Sequence, residues 1–92
     1  MAPFHTPALY LLNHATEYVR PRLDRSMAVG DRLRNLWAAV VAARDLGGTD
    51  VIEHEFMRLA LDTGLACDLG RHADDDLRHV IRSAMLDRNP FG

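Results

Sequence analysis

Ninety-two residues make a single domain, residues 1–92, near the lower end of what folds without a disulfide or metal staple, so a catalytic cleft between domains is excluded. A hydrophobic share of 48% excludes a disordered chain, and a net charge of −2 argues against non-specific nucleic-acid binding. The lone Cys67 excludes an internal disulfide and a cysteine-based zinc cluster.

The longest unbroken apolar run, Leu36 to Ala43, falls far below the ~20 residues that cross a bilayer. The run Ala8 to Leu12 is short for a signal peptide and has no basic segment before it. A cytoplasmic protein with no membrane partner is expected. Residues 1–46 carry a charge of +2 and residues 47–92 carry −4; every basic residue is Arg.

Thr6-Pro7 reads as a helix start, a hydroxyl cap followed by a proline whose missing N–H costs nothing there. Ala8, Leu11, Leu12, Ala15, Tyr18 and Val19 then recur at helical spacing, with Tyr10, Asn13, His14 and Glu17 on the other side. Pro21 drives Arg20 out of helical backbone and ends the helix, and Pro21 to Arg25 is a polar, basic connector. A second helix begins near Ser26 or Asp31 and runs to about Leu46, with Val29, Leu33, Leu36, Trp37, Val40 and Ala43 inward. Ala38, Ala39, Val41 and Ala42 make its C-terminal half apolar nearly all round. That predicts burial on most sides, as either the central helix of the fold or a dimerisation element.

Gly47-Gly48 stops this helix. A third starts at Thr49-Asp50, with Glu53 spaced to close a capping box on Asp50. Ile52, Phe56, Leu59 and Ala60 share one face, and Gly64 ends the helix with Leu65 folded back on Leu59 or Ala60. Ala66 to His72 is expected to be an irregular connector. The last helix spans about Asp74 to Asp87, on the stripe Leu77, Val80, Ile81, Ala84 and Met85. Its opening acids suit the positive end of the helix dipole, and Asp74–Arg78 and Asp75–His79 are spaced as i,i+4 pairs. Pro90 bars further helix, and Phe91 is expected to fold back on the bundle, although Asn89-Pro90-Phe91 resembles the short ligand of EH domains.

No alternating strand pattern of useful length interrupts these helices. The expected fold is all-α: a compact four-helix domain with residues 27–46 central and a C-terminal helical hairpin over residues 50–86. That hairpin is partly helix-turn-helix-like. The expected core is Leu12, Val19, Leu33, Leu36, Trp37, Val40, Phe56, Leu59, Leu77, Val80, Ile81 and Met85.

Phe56 to Leu65 carries the most informative pattern, since Ala60 followed by Gly64 is how the first helix of a helix-turn-helix ends. The second half departs from the motif. Gly70 stands where a buried branched residue belongs, and the next helix opens on Asp74-Asp75-Asp76, which repel phosphate. A helix-turn-helix-type DNA-binding transcriptional regulator is therefore the alternative expectation, with Arg71, Arg78, His79 and Arg82 as its nucleic-acid contacts.

Arg20, Arg22, Arg25, Arg32 and Arg34 form the candidate basic cluster, suited to an acidic partner or to phosphates. The blander reading is a solvated helix surface in which Asp24 and Asp31 are interspersed. His54-Glu55 opens like a zinc-protease motif, but Arg58 stands at the second histidine and a guanidinium does not ligate zinc. Cys67, His72 and His79 match no recognised ligand spacing. Ser26, Ser83 and Cys67 lack a glycine elbow. The Glu53–Glu55 and Asp74–Asp76 carboxylates need no role beyond capping and solvation.

No enzyme, cofactor or metal is expected. A metal-dependent or hydrolytic activity of Cys67, His72 and His79 with the nearby acids is the third expectation. The first is a non-catalytic small regulatory or accessory protein acting through protein–protein interaction. Its partner is another protein or itself, as a homodimer. The alanines of the second helix supply the self-association surface and Arg20 to Arg34 the polar contact.

Overall fold

Proline occupies the first helical position of α1 (Pro7–Val19) in the computed structural model, which describes residues 7–92. The cap expected at Thr6 and the side chain of Ala8 lie outside the described residues. Helical spacing allows two overlapping stripes on α1, and the one that is buried is Leu12, Thr16 and Val19, continued by Leu23. Thr16 is tolerated there because its hydroxyl donates to the Asn13 carbonyl at 2.9 Å. Leu11 and Tyr18, expected inward, are 49% and 69% exposed. A helix packed along one side buries only one stripe, and α2 takes the stripe that begins at Leu12.

The polar connector expected after Arg20 is corrected: Arg20–Leu23 is a 3-10 turn that takes Pro21 in its first turn, where a missing N–H costs nothing, and Leu23 is fully buried. The Asp24 carboxylate then accepts from the Ser26 N–H at 3.1 Å and from the Ser26 hydroxyl, a local turn that leads into α2 (Val29–Ala43). Leu36, Val40 and Ala43 are buried on α2. Leu33 and Trp37 are half-buried rather than fully so. The expectation that the C-terminal half of α2 is covered on most sides is corrected: Ala38 and Ala42 are exposed, and Ala39 and Val41 half-buried. The neighbours of α2 leave that side open.

α3 (Thr49–Asp62) buries Ile52, Phe56, Leu59 and Ala60. No side-chain cap forms at its start, and Gly48 holds the cap position, so the capping box expected between Asp50 and Glu53 is absent. Glu53 is claimed by a tertiary interaction instead. Gly64, at φ +82, ends α3 in the left-handed conformation that L side chains resist. Thr63 closes the end by donating its N–H (3.0 Å) and its hydroxyl (2.9 Å) to the Leu59 carbonyl.

The connector expected at Ala66 to His72 is helical. It holds the one-turn helix α4 (Leu65–Leu69) and a 3-10 turn at Gly70–His72. Leu65 is fully buried and pins this segment to the core. α5 (Ala73–Met85) buries Leu77, Val80, Ile81 and Ala84, with Met85 half-buried. Asp87, at φ +53, closes α5: its N–H reaches the Ala84 carbonyl (3.0 Å) and the Arg88 N–H the Ser83 carbonyl (2.8 Å). The tail then turns back. The Trp37 indole donates to the Arg88 carbonyl at 2.8 Å, and Phe91 packs against the core beneath the Arg34 guanidinium.

The fold is all-α, four long helices with the short α4 between the last two, and no strand among the described residues. α2 is central: it touches every other helix and packs most extensively on α5, while α3 and α4 cover α5. One hydrophobic core joins Leu12, Leu36, Val40, Phe56, Leu65, Leu77 and Ile81. The radius of gyration is 12.9 Å, close to the ~12 Å expected for a compact chain of this length. No helix among the described residues is long and apolar enough to cross a membrane.

Candidate interaction surface

Of the five arginines of the basic cluster, Arg32 is buried and the other four each contact a different group. Arg20 donates to Glu17 at 3.3 Å and lies 3.8 Å from Asp62. Arg22 lies over the Tyr18 ring, 4.3 Å from its centre, and donates to the Tyr18 carbonyl (3.1 Å) and hydroxyl (3.0 Å). Arg34 sits 3.8 Å from Asp31. Arg25 reaches Asp68 on α4 at 3.2 Å, across the face of Gly64, where a Cβ would meet its guanidinium.

Arg32 is the correction. It is 3% exposed, not part of a solvated surface, and donates to Asp68 at 2.8 Å and to the Met27 carbonyl at 3.2 Å. Its Nη1 is buried without a hydrogen-bond partner. Hydrogen bonding from Arg32, foremost, and the charge of Arg25 hold the Asp68 carboxyl below its ordinary 3.8. Sequence reasoning missed Asp68 because it lay in what read as a connector.

The alternative set, Arg71, Arg78, His79 and Arg82, divides in a similar way. Glu53, whose side chain is 12% exposed, accepts from Arg82 at 2.9 and 3.3 Å and from Arg78. Arg78 also donates to Asp74 at 2.9 Å, the i,i+4 pair the sequence predicted. The Arg82 hydrogen bond, foremost, lowers the Glu53 pKa from its ordinary 4.5. Asp74, ahead of Glu53, raises that of Arg78. Arg71 and His79 are exposed, and so are Asp74, Asp75 and Asp76 in the first turn of α5. Gly64 makes the turn a helix-turn-helix requires, but the helix that follows it has five residues and stops at Gly70, φ +82. Cys67 and His72 are likewise exposed. Among the described residues no group of three His, Cys, Asp or Glu side chains could hold a metal ion.

An open groove of about 300 Å³ lies between α1 and α2. Ala15 and Tyr18 line it from α1, and Ala38, Ala39 and Ala42 from α2, with Arg22 and Asn35 at one end. The two walls arise from simple spacing. Leu11, Ala15, Tyr18 and Arg22 follow one another by four, three and four residues, and Asn35, Ala38 and Ala42 by three and four, so each set shares a helix face. The Asn35 amide donates to the Arg22 carbonyl at 2.8 Å and fixes the register of the two walls. Exposed Leu11 and Tyr18 extend the apolar face beyond the alanine floor. The α2 wall was legible in the sequence as an alanine run; the α1 wall was hidden because Leu11 and Tyr18 fit an inward stripe equally well.

Compared with protein-family models, curated proteins and solved structures, the chain gives no match.

Proposed function

We propose that this chain is a non-catalytic regulatory or accessory protein that works by binding another protein, or a second copy of itself, through the α1–α2 face. The observation that carries the reading is the open groove floored by Ala38, Ala39 and Ala42 and flanked by Tyr18. A contiguous apolar patch rimmed by polar groups is the usual mark of a protein contact, and small side chains let a partner helix approach closely. Arg22 on Tyr18 places a cation and an aromatic ring together at the rim, the two side-chain types that dominate binding hot spots. On α3 and α5, Glu53 and Asp74 are bound to Arg78 and Arg82, which supports a structural role for these four.

A photo-crosslinking amino acid at Ala42, in the native host, tests this directly, with the same group at exposed Asp76 as control. Protein adducts at Ala42 and none at Asp76 are expected. Equal labelling, or none at either position, removes the reading.

The DNA-binding alternative draws support from the left-handed turn at Gly64 after α3. It ranks second because Arg78 and Arg82 already face carboxylates and three aspartates stand exposed ahead of them. A salt-sensitive mobility shift with fragments from around its own gene would reverse the order.

A further inference from the structure

We infer that the occupant of the α1–α2 groove is a second copy of this chain, packed antiparallel across a two-fold axis so that Arg22 of each copy meets Asp45 of the other. The inference rests on the interaction reading and adds to it the partner and the register.

The groove has Arg22 at one end, and the α2 stripe leads past its other end to a carboxylate of opposite sign. Arg22 marks one end, beside Asn35. At the other end the stripe Asn35, Ala38, Ala42 continues by three residues to exposed Asp45, in the 3-10 turn Arg44–Leu46 that packs against α1. Of the other cations near this face, Arg20 pairs with Glu17 and Arg34 with Asp31, while Arg44, half-buried in the same turn as Asp45, has no carboxylate within ion-pair distance among the described residues. Arg22 has no carboxylate within ion-pair distance among the described residues, and Asp45 has no cation there.

Symmetry then selects the register. A two-fold axis across the middle of the groove sets each positive end against a negative one, twice. An axis along the groove would set Arg22 against Arg22. Like charges face to face repel, so the antiparallel form is the one favoured.

Shape agrees with charge. Tyr18 protrudes next to Arg22, whereas Ala42 is the small residue one turn before Asp45. In the antiparallel arrangement Tyr18 of each copy lies over the alanine floor of the other. The stripes on both helices repeat at threes and fours, the spacing of helices packed side by side, so two α1–α2 pairs form a four-helix seam.

Sedimentation velocity on the full chain, from low to high micromolar concentration, tests this. A monomer–dimer equilibrium is expected. Arg22→Asp or Asp45→Arg alone should weaken it by about tenfold, and the Arg22→Asp/Asp45→Arg pair should restore it. Ala42→Glu should abolish the dimer with the helical circular dichroism unchanged, since the site is exposed. A monomer at every concentration overturns the proposal, as does a dimer that the double exchange fails to restore. Adducts from the Ala42 cross-linker that join a monomeric chain to a different protein overturn the second-copy proposal while upholding the interaction reading. A monomer with no adducts takes down both.

Discussion

The Arg32 guanidinium, buried on α2, donates at 2.8 Å to the Asp68 carboxylate, 36 residues further along the chain on α4. This contact ties the short helix to the central one, and Arg25 reaches the same carboxylate oxygen from outside at 3.2 Å. A buried ion pair is a weak source of stability, because desolvating the charge offsets the attraction, and here one guanidinium nitrogen is left without a partner. Removing Asp68 is a different matter, since the Arg32 charge stays where water cannot reach it.

Asp68→Ala should therefore lower the thermal midpoint clearly. Arg32→Met, which keeps the apolar stem and discards the charge, should cost less than Asp68→Ala, because the Asp68 side chain is 28% exposed and keeps Arg25 as a partner. Combining Arg32→Met with Asp68→Ala should recover most of the loss from Asp68→Ala. Thermal unfolding of the three variants checks the order, and an additive double variant would show that the two side chains are not coupled.

Acid should unfold the protein through its paired carboxylates. Asp68, Glu53 and Asp24 all sit below their ordinary values of 3.8, 4.5 and 3.8. Ser26 hydrogen bonds are the main cause at Asp24. Each folded-state value lies below the unfolded one, so the stability these groups contribute is complete above the unfolded values. It is lost as pH falls through the depressed folded ones. Urea midpoints should hold steady down to about pH 5 and fall below about pH 4. Glu53→Gln should flatten that fall, and an unchanged acid limb would show that Glu53 has no part in it.

Two positive-φ positions should respond in opposite directions. Gly64→Ala places a Cβ at φ +82 against the Arg25 guanidinium, and should cost about 1–2 kcal/mol. Asp87, at φ +53, already carries that strain at the end of α5, so Asp87→Gly should gain about 0.5–1 kcal/mol. Urea titration with an unchanged m-value separates these effects from a change in the unfolded state.

Phe56 is fully buried in the core. Phe56→Ala should cost about 3–5 kcal/mol, a large share of the roughly 5–14 kcal/mol a domain of this size holds. The expected result is partial unfolding at 37 °C, read by circular dichroism. A loss under about 1 kcal/mol would mean that the core collapses readily around the missing ring.

Trp37 is the only tryptophan, and its indole holds the Arg88 carbonyl at 2.8 Å, so its fluorescence reports whether the tail is docked. Phe91→Ala should shift the emission to the red and cost about 1 kcal/mol in urea, with the helical signal kept. No shift would place the anchoring in the Trp37 hydrogen bond alone.

The sequence by itself determined the number of long helices, their approximate limits and most of the core. Those features follow from short-range rules: proline and glycine stop helices, and apolar spacing of three and four marks a face. Leu36, Val40, Phe56, Leu77 and Ile81 are buried as the spacing predicts, and Gly64 ends α3 with a left-handed backbone, whereas Gly47 and Gly48 after α2 keep negative φ. Tertiary structure alone decided the rest. Leu11 and Tyr18 belong to a stripe as regular as the buried one beside it, and only the placement of α1 on α2 chose between them. Glu53 had a local cap within reach but bonds to Arg78 and Arg82 on α5. Arg32 and Asp68 meet because folding brings α2 and α4 together. Long charged side chains find partners across space, and no local spacing rule encodes those meetings. For that reason Arg32 left the candidate basic cluster for the interior, and the open face of α1 and α2 came into view only in three dimensions.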